Sequence, residues 1–150
     1  MKNLFTKEDV LFTKKRIAKL TPCTKPLWGK MRVDQMLAHC NVIYEMTYEN
    51  KHPKPNAFKK FILKTFVKNA VAGPKPYPKN GRTATEFIIA DERDFDEEKS
   101  RLFAYLDNTE QLGATHYNGR ESHSFGKLTD VEWNTMFYKH LDHHLKQFGV

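Results

Sequence analysis

The chain has 150 residues, 39% of them apolar and 29% charged, with a net charge of +7. That length suits one domain, whose core can bury roughly 70% of the unfolded surface, so neither disulfides nor a metal are required merely to fold. The 11 Phe, 6 Tyr and 2 Trp exclude a disordered chain, the absence of any run of ~18 apolar residues excludes a membrane-spanning helix, and Cys23 and Cys40, without framework spacing, read as reduced thiols.

The opening MKNLFTKEDVLFTKKR meets Lys7 and Glu8 early and lacks the apolar core of a signal peptide, so a cytoplasmic protein is expected. Helical periodicity begins at 6–20, with Thr6 and Asp9 resembling a capping box and Val10, Leu11, Ile17 and Leu20 as the apolar face. Pro22 ends it. A second helix is predicted over 32–50, where Met36, Cys40, Ile43 and Met46 share a face at spacings of three and four. A shorter helix over 56–71 follows Asn56 as N-cap and stops before Gly73-Pro74. It lies in KHPKPNAFKKFILKTFVK, residues 51–68, a basic stretch without one acidic residue, read as a solvated amphipathic helix in preference to a nucleic-acid patch.

Residues 73–93 are punctuated by glycine and proline and read as a long connection. Within it TATEFIIA, 83–90, alternates loosely, but a lone strand has nothing to pair with. The next helix is predicted over 94–110, with Asp94 as N-cap, Glu97 three residues on, and Phe95, Leu102, Phe103 and Leu106 facing inward. A connection over 111–127 contains Gly113, Gly119 and Gly126. The last helix, 129–148, starts from Thr129 and Glu132 and meets Gly149 at its end. These elements make an all-α bundle.

The last helix carries His140, His143 and His144. At ~100° per residue, with His140 at 0°, His144 falls at about 40° and His143 at about −60°, while Trp133, Phe137, Leu141 and Phe148 occupy about 20–100°. His144 therefore lies inside the apolar stripe, His140 on its border and His143 outside. An i, i+4 pair brings two imidazoles to one face, within reach of a common metal. On the second helix His39 sits mid-stripe, with Met36, Ile43 and Met46 within about 60° of it. A buried neutral imidazole without a partner costs about 1–3 kcal/mol, so it needs a hydrogen bond or a metal. Three inward histidines supply three neutral nitrogen ligands and leave one position open, the pattern of a catalytic site.

WGKMRVDQMLAHC at 28–40, HSFGKLTDVEW at 123–133 and YKHLDHHLKQFG at 138–149 resemble the DinB/YfiT-like superfamily, in particular a branch of bacterial domains of unknown function. The likeness continues through TATEFIIADERDFDEEKSRL. It implies a four-helix bundle with up-down-down-up connectivity, to which the chain's own pattern adds a short helix and long connections. It also implies that His39, His140 and His144 hold a divalent metal, with zinc and nickel found in relatives and thiol-dependent transferases and isomerases among the characterised ones. Two positions depart from the pattern. Arg32 stands where a Ser or Thr would cap the second helix, and Ser124 stands where Pro often follows the loop histidine.

Around the three ligands, Gln35 and Gln147 lie about one turn from His39 and His144 and are placed to orient them through hydrogen bonds. His143 suits a proton shuttle, and His123, in the loop ahead of the last helix, is a second candidate for acid, ligand or substrate contact. The plainer reading makes His123 a loop-fixing residue, His143 an exposed ring, and Trp28 and Trp133 core aromatics. No Ser-His-Asp order, phosphate-cradling loop or paired catalytic carboxylate is present. The expected activity is a metal-dependent hydrolase or a transferase using a low-molecular-weight thiol, acting on a small molecule, as a homodimer and without nucleic acid or membrane partners. The rival is a non-catalytic bundle that binds a ligand or protein partner and keeps the histidines as a polar core network.

Overall fold

The computed structural model describes residues 1–49 and 51–150. Four long helices, α1 (Lys7–Ala18), α2 (Val33–Tyr48), α5 (Phe95–Tyr117) and α6 (Asp130–Gln147), form an all-α bundle. The crossover from α2 to α5 carries two short helices, α3 (Ala57–Ile62) and α4 (Lys68–Ala72), joined by a π-type turn at Leu63–Val67, and a 3₁₀ turn at Thr85–Phe87. A two-residue hairpin pairs β1 (Glu121–Ser122) with antiparallel β2 (Gly126–Lys127) just before α6.

Side-chain pairs give the helix directions. Asn41 meets Glu98, Glu45 meets Arg101 and Glu49 meets Tyr105, so numbers rise together and α2 runs parallel to α5. Lys14 meets Asp107 while Lys99 reaches the carbonyls of Ala18 and Leu20, so α1 is antiparallel to α5. His39 meets His140 and Tyr44 stacks on Phe137, so α6 is antiparallel to α2. The order is up-down-down-up. Two consecutive parallel helices require a connection that returns the whole length of the bundle, and here that connection roofs the site.

Local chemistry explains most boundaries. Thr129 accepts from the Glu132 N–H at 3.2 Å and Glu132 accepts from the Thr129 N–H at 2.9 Å, a closed capping box at the start of α6. Asn56 and Asp94 cap α3 and α5 by accepting from Lys59 and Glu97 N–H groups. Arg32 cannot accept such a bond. Gln35 accepts from its N–H at 3.1 Å, and its guanidinium clasps Asp34 through two bonds of 3.0 and 2.8 Å, so α2 opens on an ion pair.

Several expectations are corrected. Thr6 and Asp9 form no capping box: Thr6 donates to the Asn3 carbonyl and Asp9 accepts from the Asn3 N–H, tying the chain into a turn before α1. Leu11 is 49% exposed, and Thr13 takes the inward position, its hydroxyl bonded to the Asp9 carbonyl. The expected end of the second helix at Asn50 lies outside the described residues; α2 closes at Tyr48. α5 continues past 110 to Tyr117, interrupted at Gly113, whose φ of 69° only glycine adopts freely. The extra turn carries Tyr117 into the core, between Phe5 and Trp133.

The core consists of Leu4, Ile17, Leu20, Met36, Leu37, Tyr44, Leu102, Leu106, Trp133, Phe137 and Leu145 with their neighbours, contributed by all four long helices. Cys23 is exposed and Cys40 buried, and both are free thiols. No described helix is long and apolar enough to cross a membrane.

Candidate metal centre

α2 and α6 cross where both turn histidines inward. His39 and His144 are buried and His140 is half-buried. One ring nitrogen from each lies within 4.8 Å of the others. Two nitrogens that each sit ~2.1 Å from one cation can be at most about 4.2 Å apart, so small ring rotations close the set.

The tautomers follow from the hydrogen bonds. The Nδ1 of His39 is 2.7 Å from the Phe87 carbonyl, which can only accept, so the proton is on Nδ1 and Nε2 carries a lone pair. The amide of Gln147 is oriented by its Nε2, which donates to the Trp28 carbonyl at 2.8 Å. Its Oε1 therefore faces the Nδ1 of His144, also at 2.8 Å, and must accept. His144 thus presents a free Nε2 as well. The Nε2 atoms of His39 and His140 are 2.9 Å apart, and with His39 fixed as acceptor this contact is a hydrogen bond donated by His140. Moving the His140 proton to Nδ1 would expose a third lone pair to the same point.

Burial keeps these rings neutral. It lowers the pKa of His39, drives that of His140 far below the ordinary value, with His39 and His144 adding to the effect, and takes His144 to about 3. Neutral imidazole is the form that binds metal. The donor set, three neutral nitrogens with two tautomers fixed by outside acceptors, could hold a metal ion.

The triad borders a cavity of about 790 Å³. Ile43, Met46, Leu63, Val67, Phe87 and Met136 give it apolar walls, and a cavity of this size and lining suits a small organic molecule. His143 also lines it, packed edge-on against Trp28, Tyr77 and His144, with burial lowering its pKa. His123 lines the cavity too, but its ring nitrogens meet the Ser124 hydroxyl at 2.8 Å and the His52 carbonyl at 3.3 Å, and it lies apart from the triad. Ser124 and the His52 carbonyl together hold that ring. Gln35 makes no hydrogen bond to His39: its amide donates to the carbonyls of Ala90 and Asp91, fastening the crossover to α2.

Three contributors were not singled out in the sequence. The Phe87 carbonyl and the Trp28 carbonyl are main-chain acceptors and leave no mark on residue identity. Lys139, buried on α6, donates to the carbonyls of Ala70, Gly73 and Lys75 at 2.9, 2.5 and 3.1 Å and lies over the Tyr77 ring. It pins the end of α4 to the bundle and sets Tyr77 edge-on to His140 and His143. A lysine adjoining the paired histidines was a visible signal.

A family model described as "Protein of unknown function (DUF1569)" matches residues 8–149. No curated protein and no solved structure matches the chain.

Proposed function

We propose that this chain, which belongs to the DUF1569 family of proteins of unknown function, is a divalent-metal-dependent enzyme acting on a small molecule as a hydrolase or a thiol-dependent transferase. His39, His140 and His144 would hold the cation, zinc or nickel. The resemblance to the DinB/YfiT-like superfamily, carried by the motifs at 28–40, 123–133 and 138–149, implies the same three ligands and supports this reading. The observation that carries it is the pair of fixed tautomers: Phe87 and Gln147 each take the Nδ1 proton of a histidine and leave its Nε2 lone pair aimed inward.

A cation bound there supplies Lewis-acid chemistry, bringing the pKa of water or of a small thiol near neutrality. The chain supplies the rest. Trp28 and Phe87 present the acceptors and packing that keep the rings oriented. The apolar walls lower the dielectric around the site and strengthen the electrostatics inside. His143, beside His144 and open to the cavity, is placed to accept or return a proton, and burial keeps its ring neutral at pH 7 and able to accept one.

The 2.9 Å contact between His39 and His140 favours a second reading, in which the histidines are a self-satisfied polar network in a non-catalytic, ligand-binding bundle. Elemental analysis separates the two, using protein purified without a nickel column alongside His144→Ala. About one zinc or nickel per chain, lost in the variant, supports the enzyme. No stoichiometric metal, or equal metal in both proteins, rejects the ligand assignment.

A further inference from the structure

The crossover helix has two apolar sides. Leu63, Val67 and Val71 face inward and line the cavity. On the other side Phe58, Phe61 and Phe66 are 74%, 64% and 74% exposed, and Ile62 is exposed beside them. Positions 58, 61 and 62 of α3 fall within a sector of about 100° on a helical wheel, and Phe66 follows about one π-type turn after Ile62. Three largely exposed phenylalanines on one ridge are not ordinary surface; such patches mark contact with a membrane or a partner.

The surrounding charge decides what the partner is. Residues 51–68 contain Lys51, Lys54, Lys59, Lys60, Lys64 and Lys68 and no acidic residue. Lys51, Lys59, Lys60 and Lys68 pair with Glu49, Glu86, Glu121 and Glu132, all outside that segment. Among the described residues Lys54 and Lys64 have no carboxylate partner. Two copies meeting ridge to ridge would bring these lysines against their counterparts, with no carboxylate in the segment to pair them. A convex ridge of aromatic side chains flanked by ammonium groups matches a soft anionic surface instead.

We propose that the helix Ala57–Ala72 docks the protein on anionic lipid bilayers, with Phe58, Phe61 and Phe66 set among the acyl chains and Lys54 and Lys64 among the headgroups. This is attachment to one face of a bilayer, as interfacial amphipathic helices make. The cavity behind the helix then lies next to the lipid surface. The inference does not depend on a bound metal.

Vesicle flotation tests it, comparing phosphatidylcholine with an equal mixture of phosphatidylcholine and phosphatidylglycerol. The wild-type chain is expected to float with the anionic vesicles and at least ~10-fold less with the neutral ones, and added salt should weaken binding. A variant with Phe58→Ser, Phe61→Ser and Phe66→Ser should lose flotation while keeping its circular dichroism. A second, Lys54→Glu with Lys64→Glu, should lose it without touching the aromatic ridge. Absence of wild-type flotation on anionic vesicles overturns the proposal, as does flotation unchanged in both variants. So does a wild-type dimer in light scattering that the serine variant dissolves, or binding of an oligonucleotide without binding of vesicles.

Discussion

Lys139 and Tyr77 hold each other over the histidine cluster: the lysine ammonium lies 4.7 Å from the tyrosine ring centre while donating to three main-chain carbonyls of the crossover. A buried ammonium without a carboxylate is unusual, and here the carbonyls of Ala70, Gly73 and Lys75 replace the water it gave up. The charge also suits its position at the C-terminal end of α4. Replacing Lys139 by Met keeps the stem and removes the donors. The expected result is faster amide hydrogen exchange over 70–77 and a loss of about 1–3 kcal/mol in urea unfolding. Unchanged exchange in that segment would show that the lysine does not fasten the roof.

Gln147 fixes the ring of His144 without being able to ligate a cation beside it. Gln147→Leu keeps the volume and removes the acceptor for the Nδ1 proton. Removing such an outer partner costs about 10–100-fold in metal affinity, whereas removing a ligand costs far more. Competition with a chromophoric chelator should therefore rank the proteins as wild type, then Gln147→Leu, then His144→Ala. If Gln147→Leu binds as tightly as wild type, the hydrogen bond does not tune the ligand.

Asp34 makes the start of α2 sensitive to acid. The Arg32 guanidinium, with the Arg93 N–H adding to it, holds its carboxyl at about 2 against an ordinary 3.8. A carboxylate with a depressed folded-state pKa stabilises the fold fully above its unfolded value and loses that contribution as pH falls through the folded one. Asp34→Asn is expected to be less stable than wild type by about 1–2 kcal/mol at pH 7. The two should converge as pH falls from about 4 toward 2. Urea melts of both proteins across that range provide the check; a gap that widens on acidification contradicts the assignment.

What could be read from the sequence divides along a physical line. Helix periodicity and capping residues are local, so α6, its capping box and the inward direction of His39, His140 and His144 follow from spacing alone. Partners set by tertiary structure do not. The acceptor for His39 is a main-chain carbonyl 48 positions away, and any residue at 87 would offer the same oxygen. Gly113 was readable as a helix break, and it is one, but the helical turn beyond it exists because Tyr117 finds a place in the core, with its hydroxyl bonded to that of Tyr48. Leu11 illustrates the converse: its hydrophobicity suggested an inward position, yet the packing of α1 puts Thr13 inside, where the Asp9 carbonyl satisfies the hydroxyl.

The parallel pair α2 and α5 is held by a polar seam that is exposed to mutation. Arg101 binds Glu98 on its own helix and Glu45 on α2, Asn41 donates to both the side chain and the carbonyl of Glu98, and His52 closes the far side of Glu45 at 2.7 Å. Arg101→Met would leave two carboxylates facing each other, Glu98 among the most buried charged residues of the protein. Removing one partner of a buried pair costs about 3–5 kcal/mol, and the Arg101 side chain is 25% exposed, so water offsets part of it. An expected loss of about 2–4 kcal/mol follows. Glu98→Gln placed on top of Arg101→Met removes one of the stranded charges while keeping an acceptor for Asn41, and should recover part of that loss. Equal stability of the single and double variants in urea would mean that the seam is held by packing and that its charges are passengers.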